Sequence, residues 1–217
     1  MDDELLLRWT APAERLGAQH DVAVEGERLL AAYRKQHRRY HDVRHLAAVL
    51  DHVDTLALFA HDADLVRVAA WFHDAVYDAD RTDNETASAA LAVTVLDRLD
   101  VEEDVAEEVG RLVRLTATHD PEPDDRDGQV LCDADLAVLG GEPDAYVAYA
   151  ASVRLEFAYL ADDEFAIGRM HVLNALLARP RLYRTPAGRA AWEDAARRNI
   201  SQELAFLAAS DASDRLF

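Results

Sequence analysis

No segment of this chain rich in Val, Ile and Thr shows the strict apolar and polar alternation that a half-buried strand requires. Apolar residues recur instead at intervals of three and four, as in Leu46, Val49, Leu50 and Val53. That spacing places them along one stripe of a helix. The few glycines and prolines fall between the periodic stretches. The pattern predicts helices at about 3–17, 23–36, 42–59, 63–77, 84–99, 103–118, 130–139, 143–159, 163–178 and 187–209. Asp83 reads as the N-cap of the helix after it, and 120–128, with Pro121, Pro123 and Gly128, reads as a loop. Gly140-Gly141 stops one helix and Pro143 opens the next. The expected fold is an all-α helical bundle forming one domain over 1–217. Its core covers about 1–140, and an annex of further C-terminal helices covers about 143–217.

Charge narrows the partners. Lys and Arg number 23 against 42 Asp and Glu, a net charge of −19. Such a chain lacks the basic face that a nucleic-acid polymer needs, and it is repelled by an anionic membrane surface. The longest apolar run is Ala145 to Ala151, far short of the roughly 20 residues of a membrane span. Asp2, Asp3 and Glu4 are the wrong start for a secretory signal. A single cysteine, Cys132, precludes an intrachain disulfide and suits a reducing compartment. The expectation is a cytoplasmic protein in which any metal site is built from His and carboxylates.

His73-Asp74 follows Val68-Ala69-Ala70-Trp71-Phe72, the end of the most apolar segment. Two ionisable side chains there are costly to bury unless they are paired or bind a metal. His41 and His45 lie four apart, on one helix face. Asp133 and Asp135 fall among Leu131, Leu136, Val138 and Leu139. They are two apart and so point about 200° from each other, which lets only one face a common centre. Imidazoles and carboxylates together suit a divalent cation, and open positions on such an ion can activate water.

The order His45, His73-Asp74, Asp135 resembles the H…HD…D signature of the HD superfamily of metal-dependent phosphohydrolases. It is most similar to a bacterial branch known by that assignment alone. The matching stretches are Tyr40 to His45, Trp71 to Asp78, Asp83-Asn84-Glu85 with Ser88, Asp133 to Leu136, and Arg197-Arg198-Asn199. Together they span most of the chain. The resemblance implies an HD-type helical core and a metal held by His45, His73, Asp74 and Asp135, with Asp133 as the alternative last ligand. It does not select among Mn, Mg, Zn, Fe, Ni and Co. HD-type (p)ppGpp hydrolases carry a Glu-Asp pair a few residues after the HD; here Tyr77-Asp78 supplies the Asp and not the Glu. The implied roles are orientation of the attacking water by Asp78, with Asp74 at the metal and Glu85 assisting.

Lys35, Arg38, Arg39 and Arg44 form the densest basic cluster in an acidic chain. Arg forks match phosphate oxygens, so Lys35 and Arg44, with His41 and His119, are the expected substrate contacts. A solvated helix face is the plain alternative for the basic run, and a helix-end cation the plain alternative for His119. The expected activity is hydrolysis of a small phosphate ester, most simply a nucleotide. Two alternatives stay open: a metal- and nucleotide-binding HD protein without turnover, and a diiron HD-type oxygenase drawing extra ligands from His41 and His119. Apolar helices in the annex would permit a homodimer.

Overall fold

The computed structural model describes residues 2–214, and every regular element among them is a helix. Ten α-helices follow one another: α1 Asp2–Arg15, α2 Val22–Tyr33, α3 Val43–Leu56, α4 Ala63–Phe72, α5 Asn84–Arg98, α6 Glu103–Leu115, α7 Arg126–Leu136, α8 Pro143–Glu156, α9 Asp162–Leu177 and α10 Pro186–Asp214. Single 3-10 turns at Ala57–Phe59 and Ala137–Gly140 extend α3 and α7. The fold is the all-α one that the periodicity demands. The chain divides into two compact units, Met1–Asp135 and Leu136–Phe217.

In the first unit α4 is the central element, packed against α1, α3, α5 and α6. Its residues Val66, Val68, Ala69, Ala70, Trp71 and Phe72 are fully buried. Trp9 of α1 meets Trp71 and Phe72 edge-on, with ring centroids 5.8 and 5.6 Å away. That is the geometry aromatic quadrupoles prefer, and the Trp9 indole N–H is satisfied by the Val22 carbonyl at 2.7 Å. Between α5 and α6 the backbones approach closely: a Cβ on Gly110 would stand 2.9 Å from Val93 Cγ2. Outside the core, a chain of ion pairs joins α1, α3 and α4. Arg8 holds Asp51 and Asp54, Arg67 holds Asp54 and Asp64, and Arg15 holds Asp64.

The second unit has its own core of Leu139, Tyr146, Leu173, Leu182, Tyr183, Ala196 and Ile200. Polar side chains close its loops. Glu193 accepts the amides of Leu182 and Tyr183, and Asn199 donates to the carbonyls of Leu139 and Gly141. Glu203 accepts from Tyr146 and Arg169.

Four local expectations are corrected. Helix α4 stops at Phe72 rather than near 77, and α2 stops at Tyr33 rather than near 36. Helix α7 starts at Arg126, inside the stretch expected to be loop. There the Asp125 carboxylate accepts the Gly128 amide at 3.0 Å, so a side chain caps the helix three residues earlier than the glycine suggests. Asp83 does not cap α5 with its side chain, which instead pairs with Arg81.

Candidate metal centre

The first ligand position is fixed by a helix start. Asp42 caps α3 and accepts the amides of Arg44 and His45 at 2.8 and 3.4 Å. This sets His45 in the first turn, buried against the neighbouring elements. The second position is fixed by a helix end. His73 directly follows α4 and is fully buried, and its Nδ1 lies 2.7 Å from the Ala70 carbonyl. A carbonyl only accepts, so Nδ1 carries a proton and, in the neutral ring, Nε2 is the nitrogen with its lone pair toward the interior. The third is Asp135, one residue before the end of α7.

These elements bring His45, His73 and Asp135 together, each offering one ligand atom, all within 4.8 Å of one another. His45 Nε2 lies 3.1 Å from His73 Nε2 and 3.1 Å from Asp135 Oδ1. His73 Nε2 lies 3.7 Å from Asp135 Oδ1. Asp74 adds a second carboxylate, its Oδ2 at 3.1 Å from His73 Nε2 and 3.5 Å from His45 Nε2. Ligand atoms about 2.0–2.1 Å from a shared ion stand about 3.3–3.4 Å apart in a tetrahedron and about 2.8–3.0 Å apart in an octahedron. The observed 3.1–3.7 Å separations bracket the tetrahedral value and lie just above the octahedral one, so the His45, His73 and Asp135 group could hold a metal ion whose identity they do not select.

Electrostatics agree. Burial works to raise the Asp135 carboxyl, but the neighbouring His73, His119 and His45 outweigh it and hold it far below the usual carboxylate range. Asp74 behaves likewise, with His73, His41 and His45 outweighing burial. Burial also opposes charge on His45, yet hydrogen bonds and proximity to Asp135 and Asp74 raise it to about 10. Two buried carboxylates thus stay ionised and require positive charge beside them. Without a metal, protons on the imidazoles supply it; a divalent cation does so without them.

Support around the four comes from several directions. His119 Nε2 bonds Asp135 Oδ2 at 2.7 Å, which leaves Oδ1 for the cluster. His119 holds a left-handed backbone, φ 48°, to do so. The His41 ring stacks on Tyr77 at 4.1 Å and lies 5.6 Å from the His45 ring. The turn that carries the HD pair is held from three sides. Arg38 donates to the carbonyls of His41, Asp74 and Ala75 at 2.9, 2.7 and 3.1 Å. The Tyr33 hydroxyl accepts the Asp74 amide, and Ser88 bonds both the amide and the carbonyl of Val76.

The other expected site residues fall elsewhere. The Arg44 guanidinium is exposed and pairs with Asp42. Lys35 is exposed in the loop after α2. The Asp78 side chain is exposed, and Asn84 brackets its backbone. Glu85 is half-buried in the first turn of α5. Neither Asp78 nor Glu85 belongs to the converging group. Arg38 was hidden in the sequence, because nothing in the run of basic residues distinguishes the buried arginine from the exposed Arg39 beside it. Asn84 and Ser88 stand among the quoted motif residues, and the structure gives them work: clamping the chain just after the HD pair. Comparison with family models, with curated proteins and with solved structures finds no match to this chain.

Proposed function

We propose that this protein is a metal-dependent phosphohydrolase of the HD type. Its substrate would be a small phosphate ester such as a nucleotide. The observation that carries the reading is the convergence of His45, His73 and Asp135 in a buried group, with an Asp74 carboxylate oxygen 3.1–3.5 Å from both imidazole Nε2 atoms. Bound there, a divalent ion supplies Lewis acidity to a phosphoryl oxygen and lowers the pKa of a water.

The protein's own residues set the geometry. The Ala70 carbonyl takes the Nδ1 proton of His73, so in the neutral ring Nε2 is the nitrogen that would bind the metal. His119 fixes the Asp135 carboxylate in one orientation. His41, stacked on Tyr77 with its ring 5.6 Å from that of His45, would contact the substrate. Net charge of −19 makes the cation all the more necessary for holding an anionic substrate.

The test is turnover of p-nitrophenyl phosphate and a panel of nucleotides, with and without Mn²⁺, by wild type and Asp74→Ala. Metal-dependent turnover lost in Asp74→Ala is the expected result; turnover that survives the substitution sinks the mechanism. A second reading, metal and nucleotide binding without hydrolysis, is favoured by one observation. Asp78, the residue expected to orient water, has its side chain exposed and outside the converging group. Nucleotide binding by calorimetry with no hydrolysis under any metal would establish that reading instead.

A further inference from the structure

The three helices that carry the converging ligands meet again at their other ends. Helix α3 starts beside His45 and runs out through the 3-10 turn Ala57–Phe59, α4 leads from Ala63 to His73, and α7 leads from Arg126 to Asp135. At the joint, Arg126 donates to the carbonyls of Phe59 and Leu58 at 2.8 and 3.4 Å. Asp127, buried in the first turn of α7, accepts the amides of His61 and Asp62 on one oxygen, Oδ1, at 2.6 and 3.0 Å. Asp62 in turn caps α4, accepting the amides of Asp64 and Leu65 at 2.9 and 3.1 Å. A single side chain of α7 thus grips the two residues from which α4 springs.

The grip is remote from the ligands. Asp127 precedes Asp135 by eight residues, about 12 Å along the helix, and Asp62 precedes His73 by eleven, roughly 16 Å. Burial of Val130, Leu131, Cys132 and Ala134 presses α7 into the core, but apolar burial is non-directional. Hydrogen bonds are directional and hold their partners within about 2.7–3.2 Å. The Asp127 pair therefore sets where α7 stands along its own axis. A slide of one residue, about 1.5 Å, is half the 3.1 Å that separates Asp135 Oδ1 from His45 Nε2.

We propose that Asp127 is a positioning residue for the metal centre: from the opposite end of both helices it sets the register of α7 against α4, and with it the place of Asp135 beside His45 and His73. The proposal rests on reading those three residues as metal ligands and is independent of hydrolysis. Its mark is a demand for an acceptor of the right length. Asp127→Ala removes the acceptor, Asp127→Glu keeps the carboxylate but adds a methylene, and Asp127→Asn keeps an acceptor oxygen in place.

The test has two readouts. One is the ring resonances of His45 and His73 in ¹⁵N-histidine-labelled protein in EDTA, assigned with His45→Gln and His73→Gln. The other is calorimetric titration with Zn²⁺. Asp127→Ala and Asp127→Glu are expected to move both sets of ring resonances and to weaken Zn²⁺ binding at least tenfold, at unchanged helical circular dichroism. Asp127→Asn is expected to keep the wild-type resonances and to bind Zn²⁺ within about twofold of wild type. Should Asp127→Ala fail to fold, Asp127→Glu carries the test. Unmoved resonances with unchanged affinity in a folded Ala or Glu variant overturn the proposal and leave Asp127 a role in stability alone. So does an equal loss in Asp127→Asn, which would make the charge and not the acceptor responsible. A wild type that binds no Zn²⁺ would defeat the metal reading, while the resonances, recorded without metal, still decide whether Asp127 sets the register.

Discussion

His45 and His73 face each other through their Nε2 atoms at 3.1 Å, although the Nδ1 of His73 is committed as a donor to Ala70. Two imidazoles meeting nitrogen to nitrogen need a proton or a metal ion between them. Elemental analysis of protein purified without added metal or chelator is expected to give about one equivalent of a divalent metal, falling below about a tenth of an equivalent in His73→Ala. Two equivalents of iron would instead move an oxygenase ahead of a hydrolase. Full metal content in the variant would remove His73 from the ligand set.

The same pair predicts how the metal-free protein responds to pH. His45 ordinarily titrates at 6.5 and is raised to about 10 here, against the opposing effect of burial, by Asp135 and Asp74. A base whose folded value is raised contributes stability below its unfolded value and loses that contribution as pH climbs through the folded one. In EDTA, thermal stability is therefore expected to fall between pH 6.5 and about 10. A saturating divalent ion should flatten that slope, since binding displaces the proton. A metal-free melting temperature that rises across this window would contradict the assigned charge state.

His119 is a positioning residue with two separable properties, its bond to Asp135 and its φ of 48°. Both His119→Ala and His119→Gly remove the bond, and each is expected to weaken metal binding by roughly 10–100-fold. Only glycine suits the left-handed backbone. His119→Gly should thus be more stable than His119→Ala by about 1 kcal/mol in urea denaturation, although both lose affinity. Equal stability of the two would show that the backbone there relaxes freely.

Ser88 is fully buried and bonds both the amide and the carbonyl of Val76. Removing its hydroxyl leaves two backbone groups unsatisfied in a half-buried turn. Ser88→Ala is expected to cost about 1–3 kcal/mol in denaturant titration. A change under about 0.5 kcal/mol, the scatter of neutral substitutions, would mean that water replaces the hydroxyl.

The ion pairs of Arg67 with Asp54 and Asp64 lie at the protein surface, with the Arg67 side chain 24% exposed. Arg67→Gln is expected to lower stability by no more than about 0.5–1 kcal/mol at low salt. Less than half of that should remain in about 1 M NaCl, where the Debye length is about 3 Å. A salt-independent loss would point to packing of the arginine stem instead.

The helices themselves were legible because spacing alone decides them: Leu46, Val49, Leu50 and Val53 are all buried on one face of α3. What the sequence hid is where helices stop. Helix α4 was expected to run to about 77, since Ala75, Val76 and Tyr77 continue its apolar pattern. Past Phe72 the Asp74 amide goes to Tyr33 and the Val76 amide to Ser88 instead of to the carbonyls four residues back, and distant side chains claim further backbone groups of the turn. Arg38 takes the Asp74 and Ala75 carbonyls, and Ser88 takes both groups of Val76. Sequence separations of 36, 37 and 12 put those partners beyond any local pattern. Between Asp133 and Asp135, helical phase favoured Asp135 only weakly, through the face it shares with Leu131, Val138 and Leu139. In the structure Asp135 is the one grouped with the two histidines, while Asp133 is wholly buried outside that group. The expected roles of Arg44 and Lys35 rested on charge, and charge does not say which way a flexible side chain turns; Arg44 turns to Asp42.

The division of the chain after Asp135 has a practical side. Every residue of the converging group, from His45 to Asp135, lies in the first unit, and so do Arg38, His119 and Ser88. The candidate centre is thus contained in one compact unit, and a fragment ending at residue 135 carries every residue named in it.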